Sequence, residues 1–223
     1  MGRKKIIISS KKLEDLYIHK SLSTIKIGEI YKCSFSTIAN RLSEYGISLK
    51  SPALARTRYP KNDFDGNKIT KAYMIGFRIG DLNVYKPSER SETMVVRCHT
   101  TKKYQVKVLQ SLFNKFGRVS VSFKKPSHFT VNCFLNRSFD FLLSKNENSW
   151  KWLKKYPRIC RGFIAGYTDA EGNFIINQGR ARFKIDSYDA EVLKWMSQYL
   201  IKQGINNKVI SLKRNQNRYL KIV

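Results

Sequence analysis

The sequence predicts an α+β protein in which one folding unit occurs twice, preceded by a small all-α module. Three patterns indicate this class. Helical stretches with a small residue at every fourth position occur twice, 90 residues apart, stretches of alternating polar and apolar residues follow each of them, and a short helical pattern precedes both copies. Each unit is interpreted as αββαββ, with further short helices in the first copy, and the duplication implies pseudo-two-fold symmetry.

Residues 1–50 predict three small helices, because apolar residues recur there at helical spacing. The later part resembles a helix-turn-helix. We interpret Ile25–Tyr31 as the supporting helix, Lys32–Phe35 as the turn and Ser36–Tyr45 as the recognition helix. Its first residue should cap the helix and Gly46 should end it.

The outward side chains at the start of that helix would face the DNA major groove, and they are Ser36, Thr37, Asn40 and Arg41. A three-helix packing unit with a solvated polar face is the alternative. Residues 51–68 contain two prolines and the basic string ARTRYPK. They are interpreted as a linker that tracks a phosphate backbone or the minor groove, or else as a rigid surface loop.

The internal repeat defines two half-domains, 69–156 and 157–223, of which the second is short or truncated. Small residues form matching stripes at Ala72, Gly76 and Gly80 and, 90 residues later, at Gly162, Gly166 and Ala170. An acid follows each stripe, Asp81 in the first and Glu171 in the second. Downstream, Tyr104–Gly117 parallels Tyr188–Gly204, with Tyr, Val and Leu matching at an offset of 84.

The residue patterns give each half-domain its elements in order. In the first we expect a helix at Ile69–Gly80, strands near Glu92–His99, a helix at Tyr104–Phe116, strands at Arg118–Lys124 and His128–Phe134, and short helices at 137–143 and 149–156. In the second we expect a helix at Cys160–Ala170, strands near Asn173–Ile176 and Arg180–Ile185, a helix at Ala190–Gln203, and strands at Val209–Leu212 and Arg218–Val223.

The net charge indicates a polyanionic partner. The chain has 43 Lys and Arg against 16 Asp and Glu, a formal charge of +27. Nucleic acid explains this excess best, because basic residues that neutralise phosphates release counterions. A membrane surface is the rival, but neither a membrane span nor a secretory signal is evident, so we expect a cytoplasmic or organellar-matrix protein. The four cysteines and the three histidines show no metal-ligand spacing, and the cysteines are interpreted as buried free thiols.

The stripes and their acids suggest a metal site. Small residues at every fourth position let two helices approach until their backbones nearly touch. Asp81 and Glu171 then meet at the C-terminal helix ends, where the macrodipole disfavours carboxylates and the two acids repel each other. A divalent cation removes both penalties, and carboxylates with main-chain carbonyls, here of Gly80 and Ala170, are suitable ligands. A close helix contact without chemistry is the alternative.

These residues resemble a known family. The stretch IAGYTDAEG, Ile164–Gly172, looks like the LAGLIDADG motif, and MIGFRIGDL, Met74–Leu82, looks like its variant ending in Gly-Asp. The resemblance to LAGLIDADG homing endonucleases covers residues 69–223. The first motif departs from the pattern, with Leu82 in place of its final Gly and Ile79 in place of its first acid.

The resemblance implies a monomer that acts as a pseudo-dimer, with two antiparallel sheets forming a saddle in the major groove. Asp81 and Glu171 would be the catalytic residues and, with Gly80 and Ala170, would hold Mg²⁺, for which Mn²⁺ or Ca²⁺ can substitute in binding. Each DNA strand would be cut once. The basic residue that often assists in this family is not fixed by the sequence; Lys124 and Lys221 are candidates.

The alternation of polar and apolar residues in the predicted strands indicates that each sheet has a cationic face that can bind DNA. Arg180, Arg182 and Lys184 alternate with apolar residues, as do Arg118, Ser120, Ser122 and Lys124. Arg97 is a further candidate, and Lys102, Lys103, Lys125, Lys213 and Arg214 are expected in loops as phosphate contacts. A solvated sheet face is the alternative.

Three functions fit the sequence. The first is a site-specific double-strand DNA endonuclease with a long recognition site. The second is a catalytically inactive DNA-binding regulator, against which the retention of both acids argues. The third is an RNA maturase that binds intron RNA, which shares the scaffold and the charge.

Overall fold

The computed structural model describes residues 7–50, 59–146, 148–214 and 217–222, without the side chains of 124, 148–149, 155 and 212–221. The chain divides into two compact units, Met1–Arg58 and Tyr59–Val223. Residues 51–58 of the expected linker lie outside the described part. The segment 59–67 belongs to the second unit, where Phe64 packs against Phe116, Phe139 and Phe141.

Residues 7–50, the described part of the first unit, contain helices and no strand. The unit contains helix α1 (Ser10–Glu14), which continues into a π-helical turn (Asp15–His19), then α2 (Thr24–Ile30) and α3 (Phe35–Glu44). Its own core is formed by Ile8, Leu13, Leu16, Tyr17, Ile27, Ile38 and Leu42. Gly28 lets the turn after α2 close tightly, because a Cβ there would lie 2.7 Å from the Cys33 carbonyl oxygen.

The cap of α3 differs from the expectation. Ser34, not Ser36, is the N-cap, and its hydroxyl accepts a hydrogen bond from the Thr37 backbone N–H at 3.2 Å. The chain reverses at Lys32, which has a left-handed φ of 53°, so the helix begins at the first serine after the reversal. Gly46 ends the helix as expected, with φ 69° and its N–H bonded to the Ser43 carbonyl.

The second unit contains two copies of an αββαββ arrangement. The first copy comprises α4 (Lys68–Gly80), β1 (Asn83–Tyr85), β2 (Met94–Thr100), α5 (Lys103–Phe113), β3 (Arg118–Lys125) and β4 (His128–Leu135). A 3₁₀ segment (Arg137–Leu142), α6 (Asn148–Lys151) and a second 3₁₀ segment (Trp152–Lys155) lead to the second copy. That copy comprises α7 (Pro157–Glu171), β5 (Gly172–Asn177), β6 (Arg180–Ser187), α8 (Ala190–Lys202), β7 (Val209–Arg214) and β8 (Asn217–Ile222).

Both sheets are antiparallel, four-stranded and identically ordered, β1-β2-β4-β3 and β5-β6-β8-β7, which confirms the predicted α+β class and its duplication. Two details were wrong. β1 was missed because a three-residue strand shows no periodicity. The offset between the second helices is 87, from Lys103 to Ala190, and not 84, because Tyr104 lies inside α5 whereas Tyr188 precedes α8.

The two copies meet at α4 and α7. A Cβ on Gly76 would lie 2.1 Å from the Phe163 carbonyl oxygen, and one on Gly166 would lie 2.0 Å from the Tyr73 carbonyl oxygen. The backbones therefore touch at both glycines. Aromatic pairs flank the contact symmetrically, since Tyr73 stacks on Phe77 in α4 as Phe163 stacks on Tyr167 in α7. The core extends from this seam to the buried faces of both sheets.

We expect Gly166→Leu to unfold the second unit or to lower its free energy of unfolding by at least about 3 kcal/mol, because a backbone oxygen cannot move aside for a side chain. The matched control is Ala165→Leu, one residue earlier on the exposed side of α7. Urea unfolding followed by circular dichroism measures both. A Gly166→Leu protein as stable as the control would contradict the backbone contact.

Candidate active site and nucleic-acid interface

The paired helices bring the two predicted acids together. Asp81 is the C-cap of α4 and Glu171 is the last residue of α7. A Cβ on Gly80 would lie 2.5 Å from the Ala170 Cβ, 3.2 Å from the Glu171 Cγ and 3.7 Å from the Glu171 Oε1. The Glu171 carboxylate therefore reaches the residue next to Asp81.

Both acids are in surroundings that disfavour their charge. Burial raises the pKa of Glu171 to about 6, and the negative charges of Asp81 and Asp189 add to this effect. Burial also raises the pKa of Asp81. Lys102 and Lys145 oppose both shifts. Both carboxylates are thus partly desolvated, and Glu171 also faces other negative charges, surroundings in which a divalent cation would favour the ionised acids.

The protein supplies only part of a metal coordination shell here. Within the described residues, no three His, Cys, Asp or Glu side chains gather closely enough to hold an ion by themselves. Two carboxylates with nearby carbonyls leave several positions of an octahedral ion for water or substrate oxygens. The donor set fits a cation shared with a bound phosphate.

Gln105 was missed by the sequence interpretation. Its side chain is buried in α5, and its Nε2 donates to the Asp81 Oδ2 at 3.3 Å, the Asp169 carbonyl at 2.9 Å and the Ala170 carbonyl at 3.2 Å. Its Oε1 accepts a hydrogen bond from the Thr100 hydroxyl. Gln105 therefore joins the first acid to the end of the second helix and uses the Ala170 carbonyl that was expected to face the metal.

Lys145 is the second residue that was missed. Its Nζ donates to the Ile79 carbonyl at 3.1 Å, and burial lowers its pKa, while Asp189, Glu171 and Asp81 act in the opposite direction. No periodic sequence pattern could have predicted Lys145 as a site residue, because its position depends on a contact made by the buried Arg78. The Arg78 Nε donates to the Leu142 carbonyl at 2.7 Å and so ties the Lys145 segment to α4.

A cleft of about 490 Å³ lies beside Asp81. Four of its lining side chains are lysines or histidines, and Asp81 and Gln105 also line it. The lining comprises Asp81, His99, Thr100, Thr101, Lys102, Gln105, Lys125, His128, Phe129 and Thr130. Its composition suits a phosphate group.

The first sheet has one core face and one polar face. Cross-strand pairing places Arg97, Asn132 and Ser120 on the same face, and Arg118 and Ser122 share it. Arg97 is held there, since its Nε donates to the Asn132 Oδ1 and its guanidinium to the Tyr85 hydroxyl, both at 2.8 Å. The Arg118 guanidinium lies over the Tyr59 ring, 4.3 Å from the ring centre.

The second sheet only partly follows the expected alternation. Arg180, Arg182 and Lys184 share a face, and the Lys184 Nζ lies 3.2 Å from the Asp186 Oδ2. Ile185 on the opposite face is buried, but Ala181 is exposed, as is its cross-strand partner Ile176, so the apolar face is buried only at the base of the hairpin.

Several basic residues lie elsewhere than expected. Lys213 and Arg214 end strand β7, Lys125 ends β3, and Lys103 begins α5, so none of the four is in a loop. The side chains of Lys124, Lys213, Arg214 and Lys221 lie outside the described part of the chain.

In the first unit, the predicted contact residues lie on α3. Ser36 and Asn40 are exposed, whereas Thr37 and Arg41 are half-buried. The Ser36 and Thr37 hydroxyls bond to the Ser34 hydroxyl at 2.8 and 2.9 Å, and Arg41 pairs with Glu44 at 2.5 Å.

Two acids at the ends of packed glycine-bearing helices, each helix followed by a four-stranded sheet, are the arrangement that the predicted resemblance implies. Residues 158–223 match the family model described as LAGLIDADG-like domain, so the predicted resemblance is confirmed. No curated protein matches the chain in sequence.

The chain has the fold of I-DmoI, a single-chain, two-motif LAGLIDADG homing endonuclease. It is similar to the crystal structure of I-DmoI in complex with DNA and Mn, with a TM-score of 0.51 and 17% identity over 70% of this chain and 89% of that one. It is also similar to mesophilic variants of I-DmoI, with a TM-score of 0.52 and 17% identity over 70% and 84% of the two chains.

Among the described residues, every helix is too short or too polar to cross a membrane.

We expect Glu171→Gln to stabilise the metal-free protein at about pH 8 by about 1 kcal/mol, a value that allows for partial solvent exposure. The folded pKa of Glu171, about 6, exceeds its ordinary value of 4.5, so ionisation costs stability as the pH rises through this range. The gain should vanish at a pH below the ordinary value.

Thermal unfolding in EDTA across this pH range measures the effect, with Glu191→Gln, an exposed acid on α8, as control. A Glu171→Gln protein less stable than wild type at about pH 8 would show that the carboxylate is a structural partner instead.

Proposed function

We propose that this chain is a site-specific DNA endonuclease that uses a divalent cation, Mg²⁺ by preference, to hydrolyse one phosphodiester bond in each strand of a long duplex target. One observation carries the proposal. Asp81 and Glu171 meet at the end of a helix pair whose backbones touch, and the pKa of each is raised. A purely structural seam has no use for two like charges at its end.

The carboxylates of Asp81 and Glu171 would hold the cation, together with main-chain oxygens at the helix ends. When bound, it supplies Lewis-acid stabilisation of phosphate oxygens and a lowered pKa for an attacking water. Similar structures are I-DmoI complexes with DNA and Mn and with DNA and Ca, which supports the use of a divalent ion.

The protein residues around the acids have separate tasks. Gln105 fixes the Asp81 carboxylate relative to the end of α7, so that the two acids keep a defined spacing. Lys102 and Lys145 place positive charge beside the acids, where they can attract the non-bridging oxygens of the scissile phosphate. The cleft beside Asp81, with His99, Lys125 and His128, would take an adjacent backbone phosphate.

The two sheets provide the recognition surface. Arg97 and Arg118 in the first sheet and Arg180 and Arg182 in the second can donate two parallel hydrogen bonds to a guanine edge in the major groove. Arg97 is already oriented by Asn132 and Tyr85, so little side-chain entropy is lost when it binds a base. The first unit would add a second, separate contact through α3.

Incubation of the protein and Mg²⁺ with a library of long duplexes, followed by sequencing of the ends, tests the function. Recurrent cleavage at one sequence supports the proposal. Tight binding of uncut duplex would indicate an inactive regulator, and selective binding of structured RNA would indicate a maturase.

We expect Glu171→Gln to reduce cleavage of the selected duplex by at least about 1,000-fold, because the substitution removes one of the two metal-binding carboxylates. Affinity for the same duplex in Ca²⁺ should change by less than about threefold, since the acid does not contact bases. Gel-shift and single-turnover assays measure the two effects. Glu191→Gln should leave both unchanged, and a parallel loss of affinity and cleavage in Glu171→Gln would argue for a structural acid.

Removal of residues 1–58 should weaken DNA binding and shorten the footprint while it spares cleavage at saturating protein. The second unit has its own core and contains both acids. Loss of phosphate contacts should also lower the slope of log affinity against log salt. A truncated protein that folds but cannot cut at saturation would show that the first unit takes part in catalysis.

A further inference from the structure

The positions that precede the second helix of each half-domain have the same local structure. Lys102 is the N-cap of α5 and Asp189 is the N-cap of α8. The Lys102 N–H bonds to the Thr100 hydroxyl at 3.0 Å, and the Asp189 N–H bonds to the Ser187 hydroxyl at 3.1 Å. The two residues are therefore equivalent in the pseudo-two-fold arrangement, 87 positions apart, and they carry opposite charges.

Although Asp189 occupies the N-cap position and aspartate is among the best capping residues, its side chain makes no capping hydrogen bond to α8. Its Oδ2 instead accepts a hydrogen bond from the Tyr167 hydroxyl at 3.2 Å, and the Ser187 hydroxyl lies 2.7 Å from the same Tyr167 oxygen. Tyr167 lies one helical turn before Glu171 on α7. The carboxylate of Asp189 is thus tied to the helix that carries Glu171.

The charge around the two catalytic acids is consequently unequal. Asp189 adds a negative charge that acts on Glu171, while Lys102 and Lys145 act on both acids. Asp81 instead accepts a hydrogen bond from Gln105, whereas the position equivalent to Gln105 is Val192, which is buried and apolar. One acid has a neutral donor beside it, and the other has a second negative charge.

We propose that the two half-sites differ in metal affinity: the Glu171 side, with Asp189, holds a divalent cation more tightly than the Asp81 side. As a consequence, the DNA strand beside Glu171 is cut first. The strand order rests on the proposed nuclease function, but the difference in metal affinity does not. The additional negative charge of Asp189, bonded to the helix that carries Glu171, favours a divalent cation on that side. On the other side, Gln105 occupies part of the acceptor capacity of Asp81.

Mn²⁺ titration of the full chain, with free Mn²⁺ measured by electron paramagnetic resonance, tests the affinity difference. Wild type should show a tighter and a weaker site. Asp189→Asn should weaken the tighter site by about tenfold. Asp189→Glu, which keeps the negative charge, should bind Mn²⁺ at the tighter site as wild type does. If Asp189 acted only through its hydrogen bonds, the longer side chain would not restore this affinity.

Lys102→Gln provides an independent arm, since Lys102 is exposed and its substitution leaves the N-cap backbone bond in place. Removal of its positive charge should tighten Mn²⁺ binding by about threefold. Equal sites in wild type, no detectable Mn²⁺ binding, or a tighter site that Asp189→Asn leaves unchanged would overturn the inference.

Digestion of a supercoiled plasmid that carries the selected target tests the cutting order. Nicked circles cut in one particular strand should accumulate before linear product, and strand-specific end labels should show less bias in Asp189→Asn. Simultaneous cutting of both strands would overturn the proposed order. If the protein has unequal Mn²⁺ sites but cuts no duplex, the proposed nuclease function is wrong and the proposed difference in metal affinity is still supported.

Discussion

The direct contact between the backbones of α4 and α7 is the constraint on which the rest of the second unit depends. Gly76 lies against the Phe163 carbonyl and Gly166 against the Tyr73 carbonyl, so neither position has space for a Cβ. This contact fixes the distance between the two helix ends and the placement of the sheet that follows each helix. A separation larger by one methyl group would move both the acids and the basic strands apart.

The same contact creates the electrostatic problem that defines the site. Two helix C-termini, each with its own partial negative charge, end side by side with Asp81 and Glu171 upon them. The elements around them reduce the repulsion only in part: Gln105 donates to one carboxylate, and Lys102 and Lys145 lie within electrostatic range. Burial and the remaining repulsion raise the pKa of Glu171 to about 6, so its ionisation costs folding stability. In the proposed function, a cation relieves this cost.

The features that the sequence could predict are those that depend on local periodicity. The glycine stripes, their acids and most strands follow from spacings of four and two residues. Gln105 and Lys145 could not be found in this way, because each reaches the site through contacts with residues more than 60 positions away. The position of Lys145 depends in addition on Arg78, which donates hydrogen bonds to the carbonyls of Leu142 and Leu143 at the end of the 3₁₀ segment. The sequence around Arg78 does not indicate these contacts.

Duplication within one chain explains why the symmetric and asymmetric features lie where they do. At the seam, each helix contacts the backbone of the equivalent helix in the other copy. Glycine is therefore required in both copies, and Gly76 and Gly166 occupy equivalent positions. The N-caps Lys102 and Asp189 lie outside the seam, where packing imposes no such requirement and the two copies can differ. A symmetric homodimer must place the same residue at both positions. A single chain can surround two similar acids with different charges, and this freedom permits two chemically distinct half-sites on one pseudo-symmetric scaffold.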